Sequence, residues 1–383
     1  MLKRNNTIFL IGNGFDINHG LKTSYKDFIL DYLKNSFIEA HKANGNYEDD
    51  CIKVVYPNTS KFIFDDKLDV KNYIKTAVFE STIITYGNSV RKDLIEVEVK
   101  NNFVLYILTE CLESDWNGIE DAILRFLKTS HSKLIIEKDS IGLNRKKSEL
   151  YTIEYDNIKS LNKSVDCIKS KLIDYLIKQN SPKVFKDYLF TRGVEWGQPY
   201  TQNQQRDRAE NSRRDVLFLN FNYTNYILDK SEIIKRDVGD FYTNFQTLNV
   251  HGDLRGNIED VIFGIGDEQN DFYSEIETLY DDEWLKNMKS FHYFRTKDYS
   301  KLLGFIAKGN YEIYILGHSC SITDRTLLNM LFENKYCQKI HVFHYRGMES
   351  YLTTAYNIAR NFKDKVKLRS VLQPFNENLR MDW

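Results

Sequence analysis

The chain has 383 residues, with 53 Lys+Arg against 54 Asp+Glu, a formal net charge of −1 and a hydrophobic share of 42%. That composition excludes a disordered chain, and the length points to one large domain with a big insertion, or to two domains. The balanced charge excludes a general attraction to nucleic acid or to an anionic membrane, so neither is expected as a partner.

The first apolar run, Ile8-Phe9-Leu10-Ile11, is too short for a signal peptide and predicts a buried strand over residues 7–11. It ends in Gly12-Asn13-Gly14-Phe15-Asp16. Glycines after a strand let the chain turn sharply and bring backbone N–H groups close to an anion, such as the phosphates of a nucleotide. The plain alternative is a tight strand-to-loop turn. A helix is expected over 24–33. From about 35 to 195 the apolar spacing becomes helical, with helices expected at 99–113, 119–128 and 164–179. The run 202–215 has almost no apolar residue and is expected to be an exposed loop or lid.

Strands resume at 216–219, 313–316 and 340–343, with weaker candidates at 247–250 and 260–263. Helices are expected after them at 225–235 and 324–333. Repeated strand, turn and helix predict a parallel, doubly wound sheet. The expected division is a Rossmann-like nucleotide-binding domain, 1–34 and 200–383, and a mostly helical insertion, 35–199. The five cysteines, Cys51, Cys111, Cys167, Cys320 and Cys337, form no C-x-x-C pair. No disulfide framework and no metal site are therefore expected. With no window near the roughly 18 apolar residues of a membrane span, the expected location is cytoplasmic.

Four further turns carry chemistry. In Asn220-Phe221-Asn222-Tyr223-Thr224-Asn225, an amide suits a ribose hydroxyl or a water, and Thr224 or Asn225 equally suits a helix cap. His251, in Val250-His251-Gly252-Asp253, has a pKa range suited to proton transfer, although a lone histidine is more often structural. Phe263-Gly264-Ile265-Gly266 follows, then Gly317-His318-Ser319-Cys320-Ser321, where Asp324 suits a cap. In a parallel sheet all these turns share the carboxyl edge, where ligands of open α/β sheets bind.

The stretches LIGNGFDINHGLKTSYKDF, FLNFNYTNYI, LNVHGDL and YILGHSCSITD resemble the AbiH family of bacterial abortive-infection proteins over nearly the whole chain. More distantly, the order of turns is similar to the sirtuin-type NAD-binding fold. That resemblance implies a sirtuin-like sheet with NAD as substrate. It implies Asn222 and His251 as catalytic residues. Gly12, Gly14, Gly317 and Ser319 match the phosphate turns of that fold, and Asn13, Phe15, Asp16, Thr224, Gly264 and His318, which stand in the same strand-end turns, are expected to bind the ligand with them. Three departures stand out. Thr224 replaces an aspartate that would orient ribose, Asn13 replaces an alanine, and the zinc module of protein deacylases has no counterpart. The implied activity is hydrolysis of the nicotinamide–ribose bond, with a phage-derived trigger or second defence subunit as partner and a homo-oligomer as a further possibility. The missing aspartate favours instead a non-catalytic nucleotide-binding sensor. A third alternative is a metal-dependent nuclease using Asp16, Asp253 and Asp267.

Overall fold

The protein is described by a computed structural model over residues 6–43, 45–55, 96–100, 102–113, 118–140, 147–179, 185–186, 215–238, 244–256 and 258–381. Its strands in chain order are β1 (Asn6–Ile11), β2 (Asn46–Glu48), β3 (Ile52–Val55), β4 (Glu96–Val99), β5 (Asp215–Asn220), β6 (Asn244–Asn249), β7 (Tyr311–Leu316) and β8 (Cys337–Val342). The chain divides into two units. One comprises Met1–Thr23, Gln179–Ser274 and Met288–Trp383; the other comprises Ser24–Lys178 and Glu275–Asn287.

The first unit holds one five-stranded sheet in the order β6-β5-β1-β7-β8, and every pairing is parallel. The chain starts in the middle strand, steps outward to one side, and returns to the other side through β7. This is the Rossmann-like α/β arrangement, with its switch point between β1 and β7. The expected strands at 7–11, 216–219, 247–250, 313–316 and 340–343 all fall in this sheet.

Residues of β1 explain why both faces are covered. Ile8 and Leu10 join the core on one face with Leu217, Leu219, Ile313 and Ile315. Phe9 and Ile11 join the other with Val216, Phe218, Tyr314 and Leu316. Alternate side chains point to opposite faces, so a run that is apolar at every position buries both. Phe9 packs between Phe218 and Tyr314, each 5.5 Å away centroid to centroid, and Tyr314 stacks on His341 at 4.4 Å. The aromatic row crosses β5, β1, β7 and β8 and pins their register.

The expected strand at 260–263 is not one. A single 3-10 turn, Ile258–Asp260, precedes an irregular buried run. The amide of Ile262 donates to His251 O at 2.9 Å instead of to a strand neighbour. Val261, Ile262 and Phe263 are apolar because they are buried, and an apolar run of this length fits a covering loop as well as a strand.

In the second unit, helices run over Tyr25–Lys42, Asn102–Glu113, Ile119–Ser140 and Lys147–Ile177. Ser24 starts the first, its hydroxyl accepting from Asp27 N at 3.0 Å. This helix carries the chain past residue 34. The middle is not helical alone: β2, β3 and β4 form a three-stranded antiparallel sheet. Residues 202–214 of the expected loop or lid lie outside the described residues.

Candidate functional site at the carboxyl edge of the sheet

The turns after β1 and β7 interlock. Gly12 N donates to Leu316 O at 3.0 Å and Gly14 N to Gly317 O at 2.8 Å, while Phe15 N returns to Gly12 O at 2.8 Å. A Cβ on Gly12 would lie 2.4 Å from His318 Cα. Gly317 has φ +69°, and a Cβ there would lie 2.1 Å from Phe15 N. These glycines let two backbones touch. The amides of Gly12 and Gly14, expected to meet phosphate, are engaged within the protein. Gly12→Val would disturb the fold itself, because the new side chain would meet backbone at His318 and Gly317.

The short helix Asn13–Asn18 follows the first turn. Asn13 is exposed and donates through Nδ2 to Thr23 O at 3.1 Å. Phe15 points into the core, its ring 4.4 Å from that of His19. Asp16 is 1% exposed, and its carboxyl accepts a hydrogen bond from Thr224 Oγ1. Burial pushes its pKa up to about 7, against the hydrogen bonds from Thr224 and Asn222 that favour the charged form.

After β5, Asn220 organises its own loop. Its Nδ2 donates to Thr224 O at 2.9 Å and to Asn249 Oδ1 at 2.9 Å, and its Oδ1 accepts from Asn222 N at 3.1 Å. Asn222 is buried and donates through Nδ2 to Gly12 O at 3.1 Å. The side chains offered as helix caps go elsewhere: Thr224 donates to Asp16, and Asn225 donates to Asp253 and accepts from Asn249.

After β6, His251 is buried with Nε2 3.1 Å from Asp324 Oδ1. Lys289, fully buried, donates to the same oxygen at 2.7 Å. His318 places Nε2 3.5 Å from Asp324 Oδ2, and its Nδ1 accepts from Cys320 N at 2.9 Å. Burial opposes charge on Asp324, but the Lys289 ammonium and His251 overcome it and hold the carboxyl well below the usual range. An ionised Asp324 accepts only, so each histidine presents Nε2–H to it. In the neutral imidazole this tautomer leaves Nδ1 of His251 as the acceptor nitrogen. The Phe221 ring lies 5.3 Å from His251 and 4.3 Å from His318, beside Asn222 in the chain.

The edge thus gathers Asn222, Gly12, Asp16 and Thr224 in one group. His251, His318, Asp324 and Lys289 form another, with Phe221 between them. Gly264 lies in the buried run before Asp267, and Ser319 is exposed with its carbonyl accepting from Asn357 Nδ2 at 2.8 Å. Asp324 makes no side-chain cap to the helix Arg325–Phe332, which corrects its expected role. Lys289 was missed entirely, because it belongs to no motif and only the fold buries it. The three acids of the nuclease alternative do not converge. Asp16 meets Thr224, Asp253 meets Asn225, and Asp267 meets Arg325 at 3.1 Å. They form no metal-holding group among the described residues.

The model of the family described as bacteriophage abortive infection AbiH matches residues 8–345. The chain belongs to the AbiH family. That membership supports an antiphage abortive-infection role for this AbiH protein. No curated protein sequence matches it at a significant level. No described helix of this AbiH chain is long and apolar enough to cross a membrane.

Proposed function

We propose that this AbiH protein binds NAD at the carboxyl edge of the parallel sheet and hydrolyses the nicotinamide–ribose bond after a phage-derived trigger or a second defence subunit activates it. The observation that carries the reading is the placement of Asn222 and an aspartate-held His251 at the ends of neighbouring strands β5 and β6. Asn222 positions the attacking water. His251 Nδ1 takes the water's proton as oxygen bonds to ribose C1′, and the C1′–N bond breaks with its electron pair leaving on neutral nicotinamide. Asp324 fixes the imidazole in the tautomer this needs, and Lys289 keeps Asp324 ionised. Nicotinamide is a cationic leaving group at the start, so orientation and one base supply a large part of the rate. The aspartate missing at Thr224 has a substitute nearby, since Thr224 bonds the Asp16 carboxyl.

A sensor that binds a nucleotide without turnover is the second reading. Thr224, standing where catalysis would use an aspartate to orient ribose, favours it, because binding without turnover needs no such group. Infected cells separate the two. With the wild-type protein, cellular NAD should fall after phage infection and the phage should fail to spread. With His251→Ala, present at equal level, NAD should stay constant and protection should be lost. Full protection by wild type with constant NAD would establish the sensor reading.

A further inference from the structure

In the second unit, Asp49, Cys51 and Cys167 bring one side-chain atom each to within 4.8 Å of one another. Cys51 lies in the tight turn between β2 and β3, where its amide donates to Asp49 Oδ1 at 2.9 Å. Cys167 sits within the helix Lys147–Ile177, 116 positions further on (167 − 51). Cys51 is buried, whereas Cys167 is half-buried and so within reach of a small solute.

Asp49 is not disposed to join the sulfurs in holding a metal. Its Oδ1 accepts from Cys51 N, Ile52 N and Tyr32 OH at 2.9, 2.9 and 3.1 Å. Its Oδ2 accepts from Tyr47 OH at 2.6 Å and Tyr32 OH at 2.9 Å. With those lone pairs used, two sulfurs remain, and they differ. The hydrogen bond to Cys167 and then burial push the Cys51 thiol up. The hydrogen bond from Cys51 lowers Cys167, and the Lys171 charge adds to that. Cys51 Sγ also lies 3.9 Å from Ser164 O, which it meets as a donor. Cys167 is thus the more readily ionised of two neighbouring sulfurs, which is the asymmetry a dithiol needs to react stepwise.

We propose that Cys167 and Cys51 are a redox modification site, oxidised by hydrogen peroxide to an intramolecular disulfide between the β2–β3 turn and the long helix. The Cys167 thiolate attacks one peroxide oxygen and the O–O bond breaks. Hydroxide leaves, takes a proton and departs as water, and Cys167 becomes a sulfenic acid. Cys51 then loses its proton and attacks the Cys167 sulfur. The S–O bond breaks, and the second oxygen leaves as water. Two thiols are oxidised, one peroxide is reduced, and two waters form.

The test treats the full-length protein with hydrogen peroxide at near-stoichiometric amounts and maps its peptides without reduction. A crosslinked Cys51–Cys167 peptide, reversed by dithiothreitol, is expected, with the intact protein lighter by two hydrogens. Cys51→Ala should abolish the crosslink and let a sulfenic-acid probe label Cys167. Cys167→Ser should leave Cys51 unlabelled, since the buried thiol lacks a partner. Both cysteines staying alkylatable after treatment would overturn the proposal. So would a crosslink from either to a different cysteine, or stoichiometric zinc in the purified protein that is lost in Cys167→Ser.

Discussion

At the scale of single residues, the buried Asp324–Lys289 pair determines how His251 is held. Removing one member of a buried ion pair leaves the other charged and desolvated, at a cost of about 3–5 kcal/mol. Asp324→Asn should therefore lower stability by about that much, since Lys289 is fully buried. Replacing both, Asp324→Leu with Lys289→Met, should recover much of the loss, and chemical denaturation of the two variants checks this. Asp16 gives a pH dependence of definite sign. Its folded pKa is raised from 3.8 to about 7, so the folded state keeps a proton that the unfolded state gives up. The favourable contribution is complete below about pH 4, shrinks as pH rises through that window, and is gone above about pH 7. The full span is about 4 kcal/mol, from about 1.4 kcal/mol per pKa unit. Wild type should melt at a lower temperature at pH 8 than at pH 5.5, and Asp16→Asn should narrow that difference. An equal difference in both proteins would mean that Asp16 titrates as an exposed acid does.

At the scale of elements, the turns after β1 and β7 work as one interlocked joint. Gly317→Ala should destabilise strongly, because its Cβ would meet Phe15 N at 2.1 Å in addition to the strain at φ +69°. Gly20→Ala is the control. It shares a positive φ, +87°, but a Cβ there meets nothing within 4 Å, so only the backbone cost of about 1 kcal/mol remains. Melting temperatures should fall by a few degrees for Gly20→Ala and by far more for Gly317→Ala. The strands around this joint were legible because each is a run of consecutive apolar residues ending in glycine or asparagine. The catalytic candidates were legible only as polar residues at strand ends. Their partners were not: Asp324 looked like a cap among Ser321 and Thr323, and Lys289 stands in a segment whose course no local pattern reveals. Burial of a lysine follows from tertiary structure, and hydrophobic periodicity carries no trace of it.

At the scale of the whole molecule, sequence periodicity anticipated a sheet domain interrupted by helices, and the helices at Asn102–Glu113, Ile119–Ser140 and Lys147–Ile177 bear out that pattern. It missed β2, β3 and β4, whose three or four residues each are too short to reveal alternation. Hydrolysis of NAD at one edge of one sheet is measured most directly as nicotinamide release by the purified protein in the presence of infected-cell extract. The wild type should release nicotinamide. Asn222→Ala and His251→Ala, each folded by circular dichroism, should lose at least about a hundredfold, the range of a single acid–base or oriented-water contribution. Because both residues act on one step, the double variant should be little slower than the worse single variant. Nicotinamide release by wild type that both single variants match within a few-fold would contradict the account and place any catalysis elsewhere in the molecule.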